Sequence, residues 1–267
     1  MPYPHLMGIL NITPDSFSDG GRMDKASILA HLDQLLSDGA DIIDVGAEST
    51  RPGATPLTAK EEWQRLEPLL TEIIAQAHQQ DKQVSLDTRH PETALKALDL
   101  GVDIINDVSG CTNPAMINIL AAGDCDIVFM HSLTIPVDKS VVMDEEKDIV
   151  QALIDFSQER INALTTQGID KHRLIFDPGI GFNKTAAQSW EILRRVDAFQ
   201  TLGTRLLIGH SRKSFLNDVT NAPFADRDPH TLAISAYLLQ ENISILRIHD
   251  VRLHRELMDI TKRLTAT

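Results

Sequence analysis

The sequence predicts an α/β protein built as a single closed (β/α)8 barrel, and three observations carry that expectation. One joint recurs, a glycine that follows a helical pattern and precedes an apolar run: Gly39-Ala40-Asp41-Ile42-Ile43-Asp44, Gly101-Val102-Asp103-Ile104-Ile105-Asn106 and Gly123-Asp124-Cys125-Asp126-Ile127-Val128. This is the pattern of a helix ending in a left-handed cap before a buried strand. Eight short apolar runs each lead into a helical pattern, and no glycine-rich or charged linker divides the 267 residues. Barrels of this kind run to about 250 residues as one unit. An open doubly wound sheet would show the same local alternation, and closure is not visible in a sequence.

In chain order the expected strands lie near 6–10, 42–46, 84–87, 103–106, 126–130, 174–177, 206–209 and 243–248. Ile28, Leu32, Leu35 and Leu36 form the apolar face of a first helix, and Trp63, Leu66, Leu70, Ile73, Ile74 and Ala77 that of a second. Thr58-Ala59-Lys60-Glu61 and Thr185-Ala186-Ala187-Gln188 read as capping boxes. Asn113-Pro114 and Asp228-Pro229 place a cap residue before a proline at the first helical position. The acidic run Asp144-Glu145-Glu146 is expected in the first turn of a helix carrying Val150, Ile154, Ile161 and Leu164.

Lys and Arg number 25 against 38 Asp and Glu, a net charge of −13 that argues against nucleic acid and against an anionic membrane surface as partners. An anionic ligand must then be held by local cations. No apolar run approaches the roughly 20 residues of a membrane span, and Met1-Pro2-Tyr3-Pro4-His5 lacks the basic head and apolar core of a signal peptide; a cytoplasmic location is expected. Cys111 and Cys125 fit neither a disulfide framework nor a zinc knuckle and read as small packed thiols. Most of the ten histidines lack metal spacing, and His5 and His78 read as exposed polar residues.

In a barrel the chemistry lies at the carboxyl ends of the strands. Those positions hold Asn11, residues 48–50, Asp87, Asn106 with Asp107, Met130 with His131, Asp177, residues 211–213, and Arg247 with His249. One such residue would be a turn or cap side chain; eight converging on one mouth make a site. Asp87, Asn106 and Asp177 suit a planar, donor-rich heterocycle. Lys213, Arg247 and His249 suit a phosphate or pyrophosphate. The Asn11 amide oxygen suits Mg2+ when substrate phosphates supply further ligands. The set points to displacement of a pyrophosphate. Two long βα loops, 12–24 and 47–57, are expected to be mobile and functional, with Arg51 available to an anionic substrate group.

Seven ordered blocks then make the chain resemble the dihydropteroate synthases, pterin-binding TIM barrels of folate biosynthesis. They are residues 7–21 (MGILNITPDSFSDGG), 48–54 (ESTRPGA), 85–88 (SLDT), 104–110 (IINDVSG), 177–182 (DPGIGF), 211–215 (SRKSF) and 247–251 (RIHDV). The resemblance implies condensation of hydroxymethyl-dihydropterin pyrophosphate with para-aminobenzoate, giving dihydropteroate and pyrophosphate. It places Thr50, Asp87, Asn106, Met130, Asp177, Phe182, Gly209, Lys213, Arg247 and His249 around the pterin pyrophosphate. Phe17, Thr50, Arg51, Pro52, Phe182 and Ser214 fall around para-aminobenzoate, and Asn11 on Mg2+. Of these, Asp87, Asp177, Lys213, Arg247 and His249 are the implied catalytic residues. The implied mechanism is pyrophosphate loss to a pterin methyl cation that the amine attacks, with no covalent nucleophile required. A homodimer and sensitivity to sulfonamides are further implications.

The chain departs from the common pattern at Ala47, at His131-Ser132, at Asn183 where glycine is usual, and at Arg227-Asp228-Pro229-His230-Thr231. Two alternatives stay open at this stage. A corrinoid-dependent methyltransferase barrel would share the pterin ligands but not the Ser211-Arg212-Lys213-Ser214 block. A non-catalytic pterin-binding paralogue is the other, although Asn11, Asp177 and Lys213 are all retained.

Overall fold

A computed structural model describes residues 3–12, 17–18, 22–50 and 53–265, with residues 17–18 and 22–23 described through their backbone alone. In order the elements are β1 (His5–Asn11), a small antiparallel pair β2 (Phe17–Ser18) and β3 (Arg22–Met23), α1 (Lys25–Ser37), β4 (Ile42–Gly46), α2 (Ala59–His78), β5 (Gln83–Asp87), α3 (Pro91–Asp99) and β6 (Ile104–Asp107). They continue with α4 (Pro114–Ala122), β7 (Asp126–Met130), α5 (Ile149–Thr166), β8 (Leu174–Asp177), α6 (Ala186–Arg194), β9 (Arg205–Ile208), α7 (Asp228–Leu238), β10 (Ile245–Ile248) and α8 (Val251–Thr265). β1 and β4 to β10 close into a parallel barrel in which β1 lies between β4 and β10. The expected fold class is therefore the one observed, and closure decides against the open sheet.

Alternation along the strands builds the site. Met7, Ile42, Ile104, Val128, Ile175, Leu207 and Ile245 form a buried cluster of their own, separate from the larger core between strands and helices. Two residues further along several of these strands stand Asp44, Asn106, Asp177 and Arg247. Because side chains two apart share a face, the barrel has an apolar plug below and a polar layer above. The register agrees: Gly46 pairs with Asp87, Asp87 with Asn106, and Met130 with Asp177.

Both expected capping boxes form, at Thr58 with Glu61 and Thr185 with Gln188, and Asn113 caps α4. Gly39 and Gly101 take the left-handed conformation at φ 90° and 97°. Gly123 does not: it is extended at φ −111°, so the third joint needs no left-handed cap. Asp228 lies inside α7 rather than capping it, because its carboxylate is drawn to Arg212, both bonds being 2.6 Å. The run 144–146 precedes α5 instead of opening it, since Asp148 takes the cap position and accepts from the Val150 and Gln151 amides. β9 stops at Ile208, leaving Gly209 in the following loop, and β10 begins at Ile245, two residues later than expected. No helix among the described residues is long and apolar enough to cross a membrane.

Candidate active site

The polar layer at the barrel mouth is organised around Arg247. Its Nε donates to Asp44 Oδ2 at 2.6 Å and its Nη2 to Asp87 Oδ2 at 2.9 Å, so one guanidinium on β10 bridges carboxylates on β4 and β5. Asp44 is fully buried and also faces the Asn106 amide, with Nδ2 3.3 and 3.4 Å from its two oxygens. Burial pushes the Asp87 pKa up, Arg247 opposing and Asp44 reinforcing the rise. Arg247 is itself held further into its charged form: Asp44 and Asp87 outweigh its burial. The buried Asp44 and the half-buried Asp87 on one cation remain tolerable only because the geometry is close and charge-assisted.

Opposite lies Asp177 at the end of β8, buried, its Oδ1 accepting from the Gly179 amide at 2.7 Å. Burial raises its pKa against the pull of Lys213 and of the Gly179 N–H. Lys213 donates to the Ile180 carbonyl at 2.6 Å and stands 4.7 Å from the centre of the Phe182 ring. Burial brings its pKa down to about 8, with Asp177 acting the other way. A side chain on Gly209 would come within 3.6 Å of Asp177 Oδ2 and 3.9 Å of Arg247, so glycine keeps the floor between them open. Met130 is buried beside this layer on β7. A flat ring seated here would meet acceptors on β4, β5 and β8, an amide on β6 and a cation over Phe182.

His249 accepts or donates at Nδ1 with the Ser211 hydroxyl, 2.9 Å away, and its ring meets Phe224 edge-on at 5.3 Å between centroids. Asn11 ends β1, exposed, and its Oδ1 would lie 3.7 Å from a Cβ on Gly46, which holds that side of the mouth clear. Thr50 is half-buried, its carbonyl accepting from the Val137 amide at 3.2 Å. Ser214 is exposed at the start of a short 3-10 helix, Ser214–Asp218. Arg51, Pro52 and the Phe17 side chain lie outside the described residues.

Asp44 and Lys184 were not among the residues expected at the mouth from the sequence, and Asp107, Cys111 and Arg227 take other parts than a place in the mouth. Asp44 had a signal in the sequence, a charge inside the apolar run Ile42-Ile43-Asp44-Val45. Asp107 does not face the mouth: it accepts from Ser109 and Cys111 and shapes the turn after β6. Cys111 in that turn is fully buried, and its thiol is pushed well up by burial, which fits packing and not nucleophilic chemistry. Arg227 donates to the carbonyls of Arg212 and Lys213 at 3.3 and 3.2 Å, bracing the loop that presents Lys213. Lys184 is buried with His131, its Nζ 3.0 Å from Nδ1; burial lowers the Lys184 pKa to about 7 and that of His131 to about 3.

The chain matches the family described as pterin binding enzyme over residues 7–249. A dihydropteroate synthase of Streptococcus pyogenes is 38% identical over 265 residues, covering 97% of this chain and 95% of that protein. The probable bifunctional folylpolyglutamate synthase/dihydropteroate synthase of Halobacterium salinarum is 41% identical over 248 residues, and there the chain spans only 30% of the relative's length. Among solved structures, the dihydropteroate synthase from Anaplasma phagocytophilum with bound 6-hydroxymethylpterin-monophosphate superposes with a TM-score of 0.91 at 37% identity, covering 99% of this chain and 100% of that one. That from Xanthomonas albilineans with 4-aminobenzoic acid gives 0.90 at 34%, covering 99% and 94%.

Proposed function

We propose, from the premise that this chain belongs to the dihydropteroate synthase family of pterin binding enzymes, that it joins hydroxymethyl-dihydropterin pyrophosphate to para-aminobenzoate and releases pyrophosphate. The observation that carries the reading is the convergence of Asp44, Asp87, Asn106 and Asp177 with Arg247 and Lys213 at one barrel mouth. Residues 1–267 act in it as one pterin-binding domain. The pterin would sit among Asp87, Asn106, Asp177 and Lys213, with Met130, Phe182 and Gly209 beside it. Arg247, His249 and Thr50 would meet the pyrophosphate, and Phe17, Thr50, Arg51, Pro52, Phe182 and Ser214 would frame para-aminobenzoate.

The chemistry follows from charge. Asp177, held by the Gly179 amide and drawn toward its charged form by nearby Lys213, stabilises positive charge spreading into the ring as the carbon to pyrophosphate bond ionises. Arg247 can exchange one carboxylate for a phosphate oxygen without leaving the mouth, and His249 with Ser211 adds a donor there. The aminobenzoate nitrogen then attacks the exocyclic carbon, with loop closure excluding water. The exposed Asn11 amide oxygen, beside Gly46 and near Asp87, is a hard donor that fits Mg2+, which prefers oxygen and keeps sites for substrate phosphates. Bound there, Mg2+ would neutralise charge on the departing pyrophosphate. We place the protein in the cytoplasm, acting as a homodimer on small-molecule substrates.

The test is pyrophosphate release from the pterin substrate with Mg2+, with and without para-aminobenzoate, while dihydropteroate is followed by chromatography. Aminobenzoate-dependent product supports the reading; pterin binding without product under any metal condition defeats it. Sulfamethoxazole should compete with para-aminobenzoate, and a mixed or absent inhibition pattern would remove sulfonamide sensitivity from the proposal.

A further inference from the structure

Beneath the loop 47–57 a second polar cluster joins the first turn of α2 to the loop after β5. Glu62 on α2 is fully buried. Its Oε2 accepts from the Thr88 hydroxyl at 2.7 Å, while Oε1 has no hydrogen-bond partner among the described residues. His90 presents a buried Nε2 that is also without a hydrogen bond there and stands 3.6 Å from Glu48 Oε2. One ligand atom each from Glu48, Glu62 and His90 lies within 4.8 Å of the other two. Unsatisfied buried acceptors are costly, and an orphan carboxylate oxygen and an orphan imidazole nitrogen in one cluster call for a shared occupant.

We propose that Glu48, Glu62 and His90 form a binding site for a divalent cation of the Zn2+ class, built from different residues than the Asn11 position. Glu48 keeps the capacity for it. A carboxylate offers about four lone-pair sites. Glu48 Oε1 uses two, for the Leu57 amide and Arg89 Nη2, and Oε2 uses one, for Arg89 Nε. The remaining site is on Oε2, the oxygen nearest His90 Nε2. Ligands about 2.0–2.2 Å from zinc stand roughly 3.3–3.6 Å apart, close to the 3.6 Å between His90 and Glu48. An imidazole in the set favours zinc over magnesium, and three protein ligands leave a fourth position open. The carboxylates of Glu48 and Glu62 would balance the charge of the dication, while Arg89 adds one positive charge beside Glu48. Through the bond from the Leu57 amide to Glu48 it would brace the foot of the loop that carries Thr50.

The experiment titrates EDTA-treated full chain with Zn2+ by calorimetry in a large excess of Mg2+, and repeats the titration with Co2+ by visible absorption. We expect one saturable equivalent, a raised melting temperature and the intense bands of low-coordinate Co2+. His90→Ala and Glu62→Gln should each weaken it by about 100-fold or more, since outer-shell changes alone are worth 10–100-fold, whereas Asn11→Ala should leave it in place. No saturable equivalent, unchanged affinity in both variants, or loss in Asn11→Ala overturns the proposal. Should a variant fail to fold, the Co2+ spectrum of the unaltered protein still decides: weak octahedral bands alone reject the site. If a proton shared by His90 and Glu62 fills the gap instead, Zn2+ will leave the melting temperature unmoved, and the proposal falls.

Discussion

Replacing Asn183 with glycine is a sharp test of how the site is supported. The residue is 2% exposed and sits at φ 50°, a left-handed conformation that favours glycine. Its side chain, however, holds the segment after β7. Oδ1 accepts from the Ser132 hydroxyl and from the Leu133 and Thr134 amides, each at 3.0 Å. Nδ2 donates to the Thr134 hydroxyl at 2.9 Å and to the Asp138 and Val141 carbonyls at 3.1 and 2.9 Å. An amide has two lone pairs and two hydrogens, so about four of these contacts count at full strength. At roughly 1 kcal/mol net each, Asn183→Gly removes about 4 kcal/mol, and relief of the left-handed backbone returns about 1. The balance, about 3 kcal/mol, should lower Tm by roughly 6–12 °C, as a domain of this size shifts about 2–4 °C per kcal/mol. The measurement is a pair of thermal melts, with limited proteolysis to locate cutting within 132–143. A Tm within 2 °C of the parent, or no new cutting there, would show that the amide hub does not support the segment.

Three further outcomes follow from the site. Arg247→Ala leaves Asp44 and Asp87 without their shared cation and should weaken pyrophosphate binding by about 10-fold or more, the scale of a lost charge-assisted pair; equal pyrophosphate affinity in a competition assay would remove Arg247 from that role. Lys213, at about 8, loses its charge as pH rises, so kcat/KM should fall above pH 8. In Lys213→Arg that alkaline limb should disappear, and a limb that persists points to another group. Glu48 is held down to about 2: burial would raise it, but His90, Arg89 and the Leu57 amide outweigh that. A depressed carboxylate stabilises the fold above its unfolded value near 4.5 and ceases to do so as pH falls through about 2. Urea denaturation of Glu48→Gln should therefore show a shallower loss of stability than the parent between those pH values.

Local chemistry made most of the fold legible. The barrel strands were short, largely apolar runs, four of them ended by Asn11, Asp87, Asp107 and Asp177, and both capping boxes and the Asn113 cap could be read because a cap is settled within four residues. Departures arose where a distant partner won. Asp228 looks like a cap until Arg212 takes its carboxylate, and the length of β10 depends on pairing with β9 rather than on Ile243 and Ser244 themselves. In the site, the strand-end residues were visible one by one, but their mutual arrangement was not. That Arg247 reaches across to Asp44 follows from barrel register, which no local pattern encodes. Asn183 reads in sequence only as a missing glycine, because its bonding partners lie some 42–51 positions away.

The place of β1 between β4 and β10 also bears on how the chain is made. The contact from Arg247 to Asp44 joins positions 203 apart, so a nascent chain leaving the ribosome carries both acidic strands long before their cation emerges. During that interval Asp44 and Asp87 repel across adjacent strands and resist being buried together. The same pair that neutralises the mouth in the finished protein thus makes a partial barrel the less favoured state. Closure by the last strand, with its high contact order, then supplies the missing charge and the last wall of the pocket in one event.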